Sequence, residues 1–203
     1  MNMQNTEYNK FFPSTLTLDT HRVQLRLMCE TDFEPLKEVA QSPDIWKYFT
    51  RNLAIDAELK KWIAEALQDR EDEKRVPFVI VDKDEKKVCG STSFGNISFY
   101  DKRIEIGWTW LGQDFRGAGV NRQAKFALVS YAFDVMQMER VELKTDNLNE
   151  RSKAALKKIG AKEEGILRSH MLMHDNRRRD SIYFSILKGE WPWVKNNYFI
   201  DLL

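Results

Sequence analysis

Hydrophobic and polar positions change period several times along the chain, and each change predicts a new element. "VQLRLM" alternates Val23, Leu25 and Leu27 with Gln24 and Arg26, the pattern of a half-buried strand over about 22–29. Thr31 or Asp32 then caps a short helix to about Gln41, and Pro43 opens a turn carrying Trp46, Tyr48 and Phe49. After Asp56, the residues Leu59, Trp62, Ile63, Ala66 and Leu67 share one helical face, with charges on the other. "VPFVIVDKDEKKVCGSTSFGNIS" and "RIEIGWTWL" predict three consecutive strands with turns at Lys83–Lys86 and Tyr100–Lys102, an antiparallel meander.

Behind a glycine-containing loop, Ala124, Ala127, Leu128, Tyr131, Ala132 and Val135 recur at helical spacing and predict a helix over about 120–137. "RVELKT" is a short strand, and the next helix starts at a capping box of Asn147 and Glu150 and stops at Gly160. Two strands, about 164–174 and 179–187, flank the turn "DNRR", where Arg177–Arg179 read as a solvated run. Pro192 opens a closing helix within 191–203. Residues 1–13, polar and aromatic without periodicity, read as an N-terminal arm. This order predicts an α/β fold of the mixed α+β kind, a central sheet part antiparallel and part parallel with helices on both faces. With 203 residues, 42% of them hydrophobic, the chain fills one core and reads as a single domain over 1–203.

Charge narrows the function. A net charge of +1, from 32 basic and 31 acidic residues, leaves no electrostatic footprint for nucleic acid. The apolar runs fall short of the ~20 residues that cross a bilayer, so a soluble, cytoplasmic protein without a membrane partner is expected. Cys29 and Cys89 lack metal or disulfide spacing and read as buried thiols. No set of His, Cys and carboxylates shows metal spacing, so no metal is expected.

The glycine loop carries the first candidate chemistry. Helix N-termini expose unpaired N–H groups at the positive end of the dipole, a ready site for phosphate. Gly117 and Gly119 let backbone approach closely, Ala118 between them is small, and Arg116 adds charge, so Arg116–Asn121 can hold a pyrophosphate. The same residues also suit a plain strand-to-helix turn. The lysine and hydroxyl of a triphosphate P-loop are absent, and so is the third glycine of a dinucleotide fingerprint.

"FRGAGVNRQAK" followed by "TDNLNERSKAALKKIGAKEEGILR" resembles the signature of the GNAT superfamily of acyl-CoA-dependent N-acetyltransferases, and more narrowly its RimJ/RimL-like branch. Asn149-x-x-Ser152, the Lys158-Ile-Gly-Ala161 ending and Glu164-Gly165 fall in family order, and the element order over 22–187 matches as well. The resemblance implies a GNAT-like fold with acetyl-CoA as co-substrate and a primary amine as acceptor. The acceptor it favours is a protein or peptide N-terminal α-amine, attacking directly in a ternary complex. An amino acid, polyamine or aminoglycoside acceptor stays open, as do a homodimer and a non-catalytic acyl-CoA-binding module. The loop departs from the family at Asn121, where Gly or Ala is usual, which leaves the acyl preference open.

Site residues follow from the same resemblance. Arg116, Gly117, Ala118, Gly119, Val120 and Asn121 would bind the pyrophosphate, and backbone near Trp110 and Leu111 the pantetheine. Asn149 would either bind the pantetheine amide or brace its helix. Ile104, Ile106, Trp108 and Trp110 alternate onto one strand face and Glu105, Gly107 and Thr109 onto the other. A mid-strand carboxylate is costly unless solvated, paired or used; in the cleft that the resemblance implies, Glu105 is the candidate base for the amine, with His170 in reserve. Ser152 faces the departing sulfur or serves a structural hydrogen bond. Trp46 and Tyr48 belong to the core or to the segment that covers the acceptor.

Overall fold

The computed structural model describes residues 3–203, with side chains from residue 7 onward. Eight strands form one sheet: β1 Thr17–Asp19, β2 Val23–Leu27, β3 Arg75–Asp82, β4 Lys87–Ser98, β5 Arg103–Leu111, β6 Arg140–Asp146, β7 Lys162–Leu172 and β8 Arg178–Leu187. Their order is β1-β2-β3-β4-β5-β6-β8-β7. Every neighbouring pair is antiparallel except β5 and β6, which run parallel. The sheet is therefore mixed, as the pattern predicts.

Helices cover both faces. Alternation along β3 sends Val76, Phe78 and Ile80 into one core and Val79 into the other. The first core packs helices α1 (Met3–Phe11), α4 (Val120–Ser130), α5 (Glu150–Lys157) and α6 (Trp191–Tyr198) onto the sheet. The second packs α2 (Phe33–Ala40) and α3 (Asp56–Glu71), whose face of Leu59, Trp62, Ile63 and Ala66 is buried as its spacing requires.

Several local readings change. The stretch read as an arm is largely helical: Tyr8 and Phe12, one turn apart, bury 5% and 3% exposed side chains in the first core, while residues 1–2 lie outside the described residues. Three aromatics in one turn are too few to show a period. β1 is a three-residue strand with only Leu18 turned inward, too short to alternate visibly. The helix from 120 does not stay in phase, because Tyr131–Val135 forms a π-turn. The wider turn rotates Val135 into solvent and brings in Phe133 and Met136 instead. Cys29 is exposed at the end of β2, whereas Cys89 is buried and its thiol is pushed up to about 12, chiefly by that burial. Arg177–Arg179 is no solvated run: Arg179 is buried, and Arg177 pairs with the buried carboxylate of Asp146 across the sheet.

Candidate active site

The parallel ladder between β5 and β6 holds three residue pairs, Arg103↔Arg140, Ile104↔Val141 and Glu105↔Glu142, and then stops. Beyond it the two strands separate, and among the described residues the β6-facing edge of Ile106–Leu111 has no strand partner. A fork opens in the sheet, with Glu105 at its base.

A β-bulge shapes one arm of the fork. Ser91 pairs with Trp110 and Ser93 with Gly107, so β5 carries one residue more than β4 across this interval. Trp108 takes up the excess at φ +52, a left-handed conformation rare for a bulky residue. The bulge reverses the alternation. Ile104, Ile106 and Leu111 therefore lie in the first core while Trp110, with Trp108 packed beside it, lies in the second, so the shared face expected of Ile104, Ile106, Trp108 and Trp110 is not formed. The Trp108 ring covers Gly95, where a Cβ would come within 2.4 Å of it, and lies 4.8 Å from the guanidinium of Arg75.

Glu105 is 3% exposed. Its Oε2 accepts from Lys144 Nζ on β6 at 2.8 Å and from Asn96 Nδ2 on β4 at 2.7 Å. The carboxylate is thus paired rather than solvated. Lys144 also lies 5.7 Å from the Tyr183 ring, against which His170 packs edge-on at 5.9 Å. His170 Nδ1 contacts Ser181 Oγ at 2.9 Å, and burial, with Lys144 and Arg179 adding repulsion, lowers its pKa from the ordinary value. Glu105 and His170 thus share one charged cluster.

Lys125 reaches β5 from α4, on the stretch beyond the base of the fork. Its side chain is buried, and Nζ donates to Thr109 Oγ1 at 2.7 Å, one residue past the bulge. Thr109 Oγ1 in turn meets Thr92 Oγ1 at 2.8 Å. No carboxylate pairs with Lys125 among the described residues; burial pulls its pKa down to about 7, only partly opposed by Glu105. The sequence signal was a lysine three and four residues before the buried Leu128 and Val129.

The glycine loop sits at the N-terminus of α4. Gly117 and Gly119 have φ +81 and +83, and a Cβ built on either meets no atom within 4 Å, so the backbone is bare toward open space. The loop is anchored from behind: Arg22 Nη1 donates to Ala118 O at 2.8 Å while Nε and Nη2 hold the fully buried Asp82 at 2.9 and 2.7 Å. Beside it lies a groove of about 520 Å³ lined by Tyr48, Gln113, Arg116, Leu148, Asn149 and Arg151 among others. Burial, and then the nearby Arg151, lower the Arg116 pKa from its ordinary value. Two mutually repelling guanidiniums, bare left-handed glycines and the inward, unpartnered Oδ1 of Asn121 fit a polyanionic pyrophosphate followed by a hydrogen-bonding arm.

Other predicted residues fall into place unevenly. Asn149, not Asn147, caps α5: its Oδ1 accepts from Ser152 N at 3.1 Å, so its side chain braces the helix. Asn147 instead donates its N–H to Asp180 O on the next strand. Ser152 is half-buried one turn into α5. Trp46 is in the second core, its Nε1 bonded to Ala40 O and its ring 5.0 Å from Trp110, whereas Tyr48 lines the groove. Val120 is buried at the start of α4. Lys144, Asn96 and Lys125 were not singled out by sequence reasoning, and for Lys144 the available signal was its polar position in the alternation of β6. Among the described residues, no group of three or more His, Cys, Asp or Glu could hold a metal ion, and no helix is long and apolar enough to cross a membrane.

Comparison with known proteins supplies the family. Residues 22–162 match the acetyltransferase (GNAT) domain. The protein is 34% identical over 108 residues to "Putative ribosomal N-acetyltransferase YdaF" of Bacillus subtilis, a match covering 53% of this chain and 58% of the relative. It is 26% identical over 117 residues to the [ribosomal protein uS5]-alanine N-acetyltransferase of Escherichia coli, covering 56% of this chain and 58% of the relative. The matches to these two thus span little more than half of the relatives' lengths. A GCN5-related N-acetyltransferase structure from Brucella melitensis superposes with a TM-score of 0.86 at 26% identity, covering 94% of this chain and 87% of that one. The forked mixed sheet, the glycine loop at the head of α4 and the matched domain agree, and the chain belongs to the GNAT acetyltransferase family.

Proposed function

We propose that the protein acetylates the N-terminal α-amine of a protein or peptide, the amine attacking directly in a ternary complex. The observation that carries this reading is the fork: Glu105 is buried where the β5–β6 ladder ends, and the bare glycine loop stands at the head of the neighbouring helix. Acetyl-CoA supplies the activated acetyl group. Gly117, Ala118, Gly119 and Val120 present backbone N–H groups to its pyrophosphate, with Arg116 and Arg151 adding charge. The unpaired edge of Trp108–Leu111 offers peptide groups to the pantetheine arm and N–H donors to a developing oxyanion.

Glu105 takes the amine proton, directly or through water, because an ammonium has no lone pair with which to attack. Lys144 and Asn96 hold its carboxylate in place. A protein acceptor is supported by the relatives named for ribosomal N-acetylation. The test is an acceptor panel assayed for released CoA thiol: peptides with free and blocked N-termini, free amino acids, a polyamine and an aminoglycoside. Turnover confined to free N-termini supports the assignment, and preference for a small amine replaces it.

A further inference from the structure

Lys125 is a buried titratable group that the proposed reaction leaves without a role. An ammonium has three donors, and the structure gives Nζ one neutral acceptor, Thr109 Oγ1, and no counter-ion among the described residues. Burial of an unpaired charge is costly, and a methionine or leucine would fill the same space without that cost. The nitrogen is also well placed. Thr109 directly follows the bulge residue Trp108, on the stretch of β5 that has parted from β6, so Lys125 reaches the wall of the fork from the α4 side. Glu105 stands at the base of the same fork. Lys125 lies six residues after Gly119, about 9 Å along the helix axis from the loop. That places it within the span of an arm running from the loop into the fork.

Resting on the acyl-CoA reading above, we propose that Lys125 is the catalytic acid that protonates the departing CoA sulfur. The amine nitrogen bonds to the thioester carbonyl carbon, the C–S bond breaks with its electron pair on sulfur, and one Lys125 N–H proton passes to that sulfur. The products are the amide, a neutral thiol and a neutral lysine; the proton released by the amine returns to Lys125 through solvent. Two facts favour the step. Discharging an ammonium and a thiolate together removes two charges from a buried site. A pKa of about 7 suits proton exchange with a thiol of pKa about 8.5, whereas a serine hydroxyl such as that of Ser152 is far weaker as an acid. Lys125 meets the Thr109 hydroxyl on β5, which in turn meets that of Thr92 on β4, and Glu105, itself paired to Lys144, is the charged group acting on it.

The test compares wild type with Lys125→Met, using acetyl-CoA, CoA and desulfo-CoA as probes in calorimetry. Wild type should bind CoA up to about tenfold more tightly than desulfo-CoA, the thiol donating to the neutral Lys125 amine, and its kcat should fall as pH rises above about 7 and Lys125 loses the proton it must give. The variant should bind the two equally, lack the alkaline fall in kcat, keep acetyl-CoA affinity within about threefold, and lose roughly 10- to 100-fold in kcat. An unchanged preference for CoA over desulfo-CoA in the variant overturns the proposal. So does a wild-type kcat that does not fall above about pH 7, a measurement that needs no variant to fold. Failure of wild type to bind acetyl-CoA at all removes the acyl-CoA reading itself, and the role of Lys125 falls with it.

Discussion

Glu105, on the last rung of the parallel ladder, accepts through Oε2 from Nζ of Lys144, two residues beyond that rung on β6, at 2.8 Å, joining the two strands at the point where they part. The pair fixes the proposed base and closes the bottom of the fork. Glu105→Gln keeps the shape and the Asn96 contact, so acetyl-CoA affinity should hold while turnover drops by about 10²–10⁴. The deficit should shrink as pH rises and more acceptor arrives deprotonated. Lys144→Met leaves the buried carboxylate unpaired and should lower stability by about 3 kcal/mol. Adding Glu105→Gln should recover most of that loss. A double-mutant cycle by denaturant unfolding, run beside kcat/KM from pH 6 to 10, checks both halves.

Gly119 separates the loop's geometry from its proposed use. Its φ of +83 is one that asparagine adopts with little strain, so Gly119→Asn should cost about 1 kcal/mol or less in stability. The new side chain projects into the open space over the loop, where a Cβ meets nothing in the structure. Acetyl-CoA binding should weaken by at least about tenfold, the equivalent of one charge-assisted hydrogen bond. Wild-type affinity in a stable Gly119→Asn protein would reduce the loop to a turn.

Arg22 holds that loop from the sheet side. Burial alone would raise the Asp82 pKa, but hydrogen bonds from Arg22 and from the backbone N–H groups of Glu85 and Asp84 outweigh it and lower the value. Arg22→Ala removes the guanidinium from a buried carboxylate and releases Ala118 O together. Both melting temperature and acetyl-CoA affinity should fall. Arg22→Lys retains a charge for Asp82 but cannot span both partners, so stability should recover more than binding. Equal recovery of the two would show that Arg22 acts on the sheet alone.

Periodicity made most of the fold legible, since long amphipathic runs such as Leu59–Ala66 and alternating strands such as Val23–Leu27 bury the faces their spacing marks. What it missed depends on single residues. The insertion of one residue at Trp108 reverses the side-chain alternation of β5, and nothing in "RIEIGWTWL" distinguishes a bulged strand from a regular one. The π-turn at Tyr131–Val135 shifts a helical stripe in the same silent way. Glu105 stood out because a carboxylate in a central strand needs a reason. Its partners did not, because Lys144 and Asn96 come from other strands and only the sheet order brings them together. Lys125 did not stand out, because a lysine three residues before Leu128 and four before Val129 is marked as inward only by the burial of those neighbours.

The buried state of Lys125 has a consequence for stability that is independent of catalysis. Its pKa is near 7 in the folded protein against an ordinary 10.5, so between those values the unfolded chain binds more protons than the folded one. Stability therefore rises with pH across that window, and below about 7 the full cost of burying the ammonium is present. At about 1.4 kcal/mol per pKa unit, the difference amounts to a few kcal/mol. Lys125→Met has no such proton to lose. Its melting temperature should exceed that of wild type at pH 6, with the gap narrowing steadily from pH 7 to pH 10 as wild type discharges its lysine. Groups common to both proteins cancel in the comparison. Differential scanning calorimetry of the pair at several pH values decides it, and a gap that stays constant across this range would mean that Lys125 titrates as an ordinary surface lysine and is not held in the wall of the fork.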